Sequence, residues 1–94
     1  MTSLKTIVEI CAQEYGVTTG ELIARNRKRN IVDARNTAFL IMKQKLGGIN
    51  TLTEIGNALG ARHHTTVISQ VKQAENLLLD DNFRYKYESI ISKL

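Results

Sequence analysis

No proline interrupts this chain of 94 residues, and apolar side chains recur every three or four positions along nearly all of it. That spacing gathers apolar groups on one face of an α-helix, and a chain without proline keeps every backbone N–H for the helical ladder. The sequence therefore predicts an all-α fold of about six helices. A chain of 94 residues can build one modest core, so residues 1–94 read as a single domain. No internal repeat, low-complexity tract or linker divides them.

The first helix is expected from about Ser3 to Tyr15, with Leu4, Ile7, Val8, Cys11 and Tyr15 on one face and Gly16 in the left-handed position after it. Thr18 or Thr19 caps a short second helix containing Leu22 and Ile23. The following RNRKRN is too polar and too charged to bury and reads as an exposed loop. A third helix is expected after Asn30, where Asn30 and Asp33 have capping-box spacing. Its stripe of Ala34, Ala38, Ile41 and Met42, widened by Phe39 and Leu40, marks it as the central helix. Gly47-Gly48 stops it. Thr51 and Glu54 make a cleaner capping box for a fourth helix ending at Gly60. The fifth begins near His63 or His64 and runs to about Leu79, burying Val67, Ile68, Val71, Ala74 and Leu78. Asp80-Asp81-Asn82 breaks it, and Asn82 caps a last helix with Phe83, Tyr87, Ile90, Ile91 and Leu94 on one face.

The formal net charge is +4, but it is unevenly spread. Residues 1–24 set Lys5 against Glu9, Glu14 and Glu21. Residues 25–72 hold Arg25, Arg27, Lys28, Arg29, Arg35, Lys43, Lys45, Arg62 and Lys72 against only Asp33 and Glu54. Clustered basic charge points to nucleic acid or to a solvated cationic surface, and charge alone leaves both open. The N-terminal segment lacks the basic start of a secretory leader, and no apolar run reaches the length of a membrane span. With a single cysteine there is no disulfide framework, so a reducing cytoplasm is the expected location.

The fourth and fifth helices form a short helix, a tight turn and a longer helix. Ile55, Leu59, Val67 and Val71 are spaced to pack together, Gly56 is small where the helices approach, and Gly60 suits a turn needing positive φ. This is a helix-turn-helix pattern. The exposed face of the fifth helix carries Thr65, Ser69, Lys72 and Gln73, with His64 and Thr66 at its leading end. Short hydrogen-bonding side chains let a helix lie close in a major groove. Free N–H groups at the helix start favour a phosphate there, with Thr65, Thr66 and Arg62 adding donors and charge.

The stretch TLTEIGNALGARHHTTV, residues 51–67, resembles the pattern SLxEIGxxFGGRDHTTV of domain IV, the C-terminal DNA-binding domain of the bacterial replication initiator DnaA. Upstream, GELIARNRKRNIVDARNTAFLIMKQKL at 20–46 is similar to that family's ADLLxxRRxRxxxxxRQxAMYLxREL. The resemblance covers nearly the whole chain. It implies a Trp-repressor-like helical fold whose helix-turn-helix binds double-stranded DNA at DnaA boxes. It implies that Arg27, in the basic loop with Arg25, Lys28 and Arg29, enters a minor groove, where narrow A/T-rich sequence concentrates negative potential. Arg35 and Lys43 match positions that approach phosphates, and Asn36, in place of a typical Gln, can still donate to one. Thr53 stands where the family usually has proline and regains an N–H. His64, Thr65 and Thr66 match residues that meet base edges and phosphates.

Two departures stand out. His63 occupies the position of an aspartate that can accept from cytosine and cap the helix; histidine is expected to cap poorly and can donate to guanine N7 or O6. The loop at Gly47–Asn50 is about two residues longer than usual. There is no G-x-x-x-x-G-K-[ST] phosphate loop, so no ATPase activity is expected of these residues. Beginning at Met1 with a first helix at once, the chain reads as a stand-alone domain, suited to a replication-linked regulator or a mobile-element protein competing for initiator sites.

Other readings are weaker. His63 and His64 are adjacent, so they point about 100° apart and make no metal site. Cys11 lies on a buried face and reads as core. Tyr85 and Tyr87 face different ways and make no stacking pair. The loop at 25–29 lacks the apolar partner a lipid-binding segment needs. No cofactor, metal or small-molecule substrate is expected, and a monomer is favoured. The rival class is a protein-interaction adaptor of the same fold acting on replication proteins. RNA is disfavoured, because an A-form major groove is too deep and narrow for the fifth helix.

Overall fold

The computed structural model describes residues 2–94 and orders them as α1 (Leu4–Tyr15), α2 (Thr19–Ile23), α3 (Arg29–Leu46), α4 (Leu52–Ala58), α5 (His64–Leu77) and α6 (Asp81–Ser92), with no strand among the described residues. The expected all-α class is therefore what the chain adopts. Most boundaries follow from caps. Ser3 Oγ accepts from the Thr6 N–H at 3.2 Å, and Gly16 closes α1 with φ 66°. Thr18 and Glu21 exchange hydrogen bonds at the start of α2, as Thr51 and Glu54 do at the start of α4.

Four boundaries differ from expectation. α3 begins at Arg29, and neither Asn30 nor Asp33 caps it. Asn26 Oδ1 takes the Lys28 N–H at 2.9 Å, turning the chain early, and Asp33 instead pairs with Arg29 at 3.3 Å. α6 is capped by Asp80, not Asn82: its carboxylate accepts from the Phe83 N–H at 3.0 Å. α4 stops at Ala58, short of Gly60, and α5 at Leu77, short of Leu79.

α3 is the central helix. Ile31, Ala34, Ala38, Phe39, Leu40, Ile41, Met42 and Leu46 are all buried on it. It packs chiefly against α5 and α1, while α4 packs on α5 and α6 on α1. Fully burying one such large apolar side chain contributes roughly 1.5–3 kcal/mol. Val67, Val71 and Ala74 line the inner face of α5, but Ile68, expected inside, is 37% exposed. Its place at the margin of the stripe leaves it beside Lys43 and Lys72.

Cys11 is buried, as its position on α1 implied. Burial, with Glu14 nearby, pushes its thiol up to about 12, which makes it inert. The Tyr15 hydroxyl bonds Thr37 Oγ1 at 2.9 Å, and Thr37 donates in turn to the Asp33 carbonyl at 2.8 Å. α6 is tied down through Glu14, which accepts from Lys93 at 2.9 Å and Ser89 at 2.8 Å.

Candidate nucleic-acid interface

The α4–turn–α5 unit is held by one close approach. A Cβ on Gly56 would collide with the Arg62 carbonyl oxygen and sit 3.3 Å from Val67 Cγ2. The absence of that atom lets the Arg62 N–H reach the Gly56 carbonyl at 3.0 Å, closing the turn. Gly60 has φ 89°, and a Cβ there would strike the Ile23 carbonyl oxygen. Ala61 follows with φ 57°, an unusual conformation for a residue with a side chain. Two left-handed residues in succession swing the chain from α4 into α5.

The basic segment after α2 lies beside this turn, and two arginines hold it there. Arg35 is 4% exposed; its Nε donates to the Leu22 carbonyl at 2.9 Å, and its Nη2 to the carbonyls of Ala24 at 2.9 Å and Asn26 at 3.2 Å. Arg62 donates from Nε to the Leu59 carbonyl at 2.9 Å, and from Nη2 to Ala24 at 2.8 Å and Ile23 at 3.3 Å. Desolvation lowers the proton affinity of both groups. The second influence on Arg35 is the charge of Arg62, and on Arg62 that of Arg25. Both stay charged, as guanidinium groups do in proteins.

These contacts correct two expectations. Arg35 is not the exposed cation expected: it lies within the fold, its Nε and Nη2 taken up by the carbonyls of Leu22, Ala24 and Asn26. Arg62 braces the same segment from the other side, its Nε and Nη2 already engaged by the carbonyls of Leu59, Ile23 and Ala24. Asn36 is a third correction. It is 1% exposed, and its Nδ2 donates to Gln73 Oε1 at 3.2 Å, so it links α3 to α5 beneath the surface.

What the two arginines support is a basic cleft of about 370 Å³, lined by Arg25, Asn26, Arg27, Val32, Arg35, Arg62, Thr66 and Gln70. Arg25, Arg27 and Lys28 are exposed, and among the described residues their side chains make no ion pair or hydrogen bond. Arg29 faces elsewhere. It heads α3, pairs with Asp33, and lines a separate cleft with Tyr15 and Lys86. Gln70 was not singled out from the sequence; its position four residues after Thr66 on α5 was the available signal.

His63, which caps α5, and His64, Thr65, Ser69, Lys72 and Gln73 along it are exposed, and Thr66 is half-buried at the cleft. Thr53 is exposed on α4, and Lys43 on α3 shares a groove with Ile68 and Lys72. His63 reverses the expectation of a poor cap: its Nδ1 accepts from the Thr65 N–H at 3.2 Å. No group of three or more His, Cys, Asp or Glu side chains among the described residues is arranged to hold a metal ion. No helix among them is long and apolar enough to cross a membrane.

A short capped helix, a left-handed turn and an exposed polar second helix beside a cationic loop define a helix-turn-helix protein. The chain belongs to the bacterial dnaA protein helix-turn-helix family, whose model it matches over residues 4–74. It is 32% identical over 93 residues to the chromosomal replication initiator protein DnaA of Chloroflexus aggregans, covering 98% of this chain and 19% of that protein. With the DnaA of Ureaplasma parvum it shares 40% identity over 76 residues, covering 81% of this chain and 16% of the relative. With that of Streptococcus agalactiae it shares 36% over 81 residues, covering 85% and 17%. The chain thus spans less than a fifth of the length of these relatives. Membership in this helix-turn-helix family supports DNA binding and a non-catalytic domain.

Proposed function

We propose that this domain binds double-stranded DNA site-specifically, with α5 in a major groove and the loop carrying Arg25, Arg27 and Lys28 in the neighbouring minor groove. The observation that supports this best is the shared cleft, in which Arg25 and Arg27 stand beside Thr66 at the leading end of α5. Loop and recognition helix are then placed to act on one duplex together. His63, His64, Thr65 and Thr66 meet base edges and phosphates, while Ser69, Lys72, Lys43 and Thr53 flank them along the backbone. Arg35, Arg62 and Asn36 serve the interface from beneath, as supports.

Sites resembling DnaA boxes are the preferred targets, given the match over residues 51–67 and the likeness to chromosomal replication initiator proteins. These residues carry no phosphate-binding loop, so the domain occupies its sites without hydrolysing ATP itself. That suits a regulator acting at initiator-type sequences. Selection of bound duplexes from a random pool tests the reading. It is expected to enrich one short motif containing an A/T-rich segment; no enrichment, or equal affinity for A-form RNA, would overturn it.

A further inference from the structure

The first residue outside α5 is an exposed histidine whose ring orientation is fixed by the backbone it caps. We propose that this cap locks the His63 imidazole as its Nε2–H tautomer and so makes His63 a reader of purine N7 in the major groove. The inference rests on the duplex-binding reading above.

The Thr65 backbone N–H can only donate, and it reaches His63 Nδ1 at 3.2 Å. Nδ1 must therefore present a lone pair, and an imidazolium would set N–H against N–H. A neutral imidazole with a bare Nδ1 carries its one proton on Nε2. The Thr65 hydroxyl lies 2.8 Å from the same Nδ1. Because Nδ1 cannot donate, the hydroxyl does, which leaves only lone pairs on Thr65 Oγ1 for any outside partner. The His64 ring stands 4.2 Å from that of His63, tilted by 33°, and limits its rotation.

The outward edge of His63 is thus a single N–H donor at the leading end of the recognition helix. A donor in the major groove seeks an acceptor, and both purines offer N7. Guanine is the better partner, because its O6 beside N7 also accepts, whereas adenine sets an amino donor there. A carboxylate at this position would cap the helix equally well but show only acceptors, and so would seek cytosine N4 or adenine N6. The identity of the residue at 63 therefore sets the polarity of what is read.

The duplex selected by the wild-type chain provides the test. Each purine in it is replaced in turn by its 7-deaza analogue, which lacks only the N7 acceptor. One position is expected to weaken wild-type binding about fivefold to tenfold. At that position His63→Ala should be insensitive to the analogue. His63→Asp, which keeps a capping oxygen and so the melting temperature, should prefer cytosine or adenine there. Tight site-specific binding with no analogue-sensitive purine, or with equal sensitivity in His63→Ala, would overturn the proposal and leave duplex binding standing. Failure of the wild-type chain to select any site would instead overturn duplex binding itself.

Discussion

Arg35 and Arg62 donate to the same backbone oxygen. The Ala24 carbonyl accepts from Arg35 Nη2 at 2.9 Å and from Arg62 Nη2 at 2.8 Å. One guanidinium comes from the central helix and the other from the turn before α5, so the basic loop is tied to the core and to the recognition helix at a single point. Their mutual repulsion is offset by the carbonyls of Leu22 and Asn26, which accept further bonds from Arg35, and of Ile23 and Leu59, which accept from Arg62. The loop that carries Arg25 and Arg27 gains a fixed geometry by this means, and its positive potential is reinforced from behind.

This arrangement predicts that Arg35→Ala lowers stability, by about 2–3 kcal/mol, because it strips charge-assisted bonds from three backbone carbonyls. Arg35→Lys should recover only part of the loss, since an ammonium cannot span the carbonyls as the guanidinium fork does. Urea unfolding monitored by circular dichroism measures both. A surface phosphate contact would behave otherwise, leaving stability intact and lowering only the salt dependence of binding.

Ala61 stands in the left-handed region at φ 57°, where a side chain costs about 1–2 kcal/mol. Ala61→Gly is expected to raise stability by roughly 0.5–1 kcal/mol, the greater freedom of glycine in the unfolded chain offsetting part of the relief. Gly56→Ala should do the reverse and more strongly, because its Cβ would meet the Arg62 carbonyl and part α4 from α5. Thermal melts of the two variants give the comparison.

Much of the fold could be read from spacing alone. The stripes of α1 and α3, the pairs Thr18–Glu21 and Thr51–Glu54, and Gly16 all act within a few residues of themselves, which is the range that local pattern reports. The supports of the interface do not. Arg35 bonds carbonyls as many as 13 residues back, and Asn36 meets Gln73 across 37 positions. A charged residue in a basic block reads as exposed. Yet Arg35 sits four residues from Ile31 and four from Phe39, on the buried face of α3, and that periodicity was the one clue to its place. The cap at His63 depends on a ring rotamer, which no spacing encodes.

The Lys93 hydrogen bond, then the Ser89 hydrogen bond, hold the Glu14 carboxyl below the usual range. A depressed carboxylate adds stability above the unfolded value of about 4.3, and that part is lost as pH falls through the folded value. Acid titration below about pH 4 should therefore loosen α6 from α1, and Glu14→Gln should flatten this part of the profile. Amide exchange of α6 residues against pH reads the effect directly.

The central claim is that the clamped basic loop and α5 grip one duplex, and the salt dependence of binding tests it most directly. Affinity for the selected duplex, measured at several salt concentrations, should fall steeply, with roughly one unit of log–log slope for each phosphate contacted. Arg27→Ala should leave the melting temperature unchanged while weakening A/T-rich sites most. A flat salt response, or an Arg27→Ala variant that binds as tightly as the wild-type chain, would contradict the account.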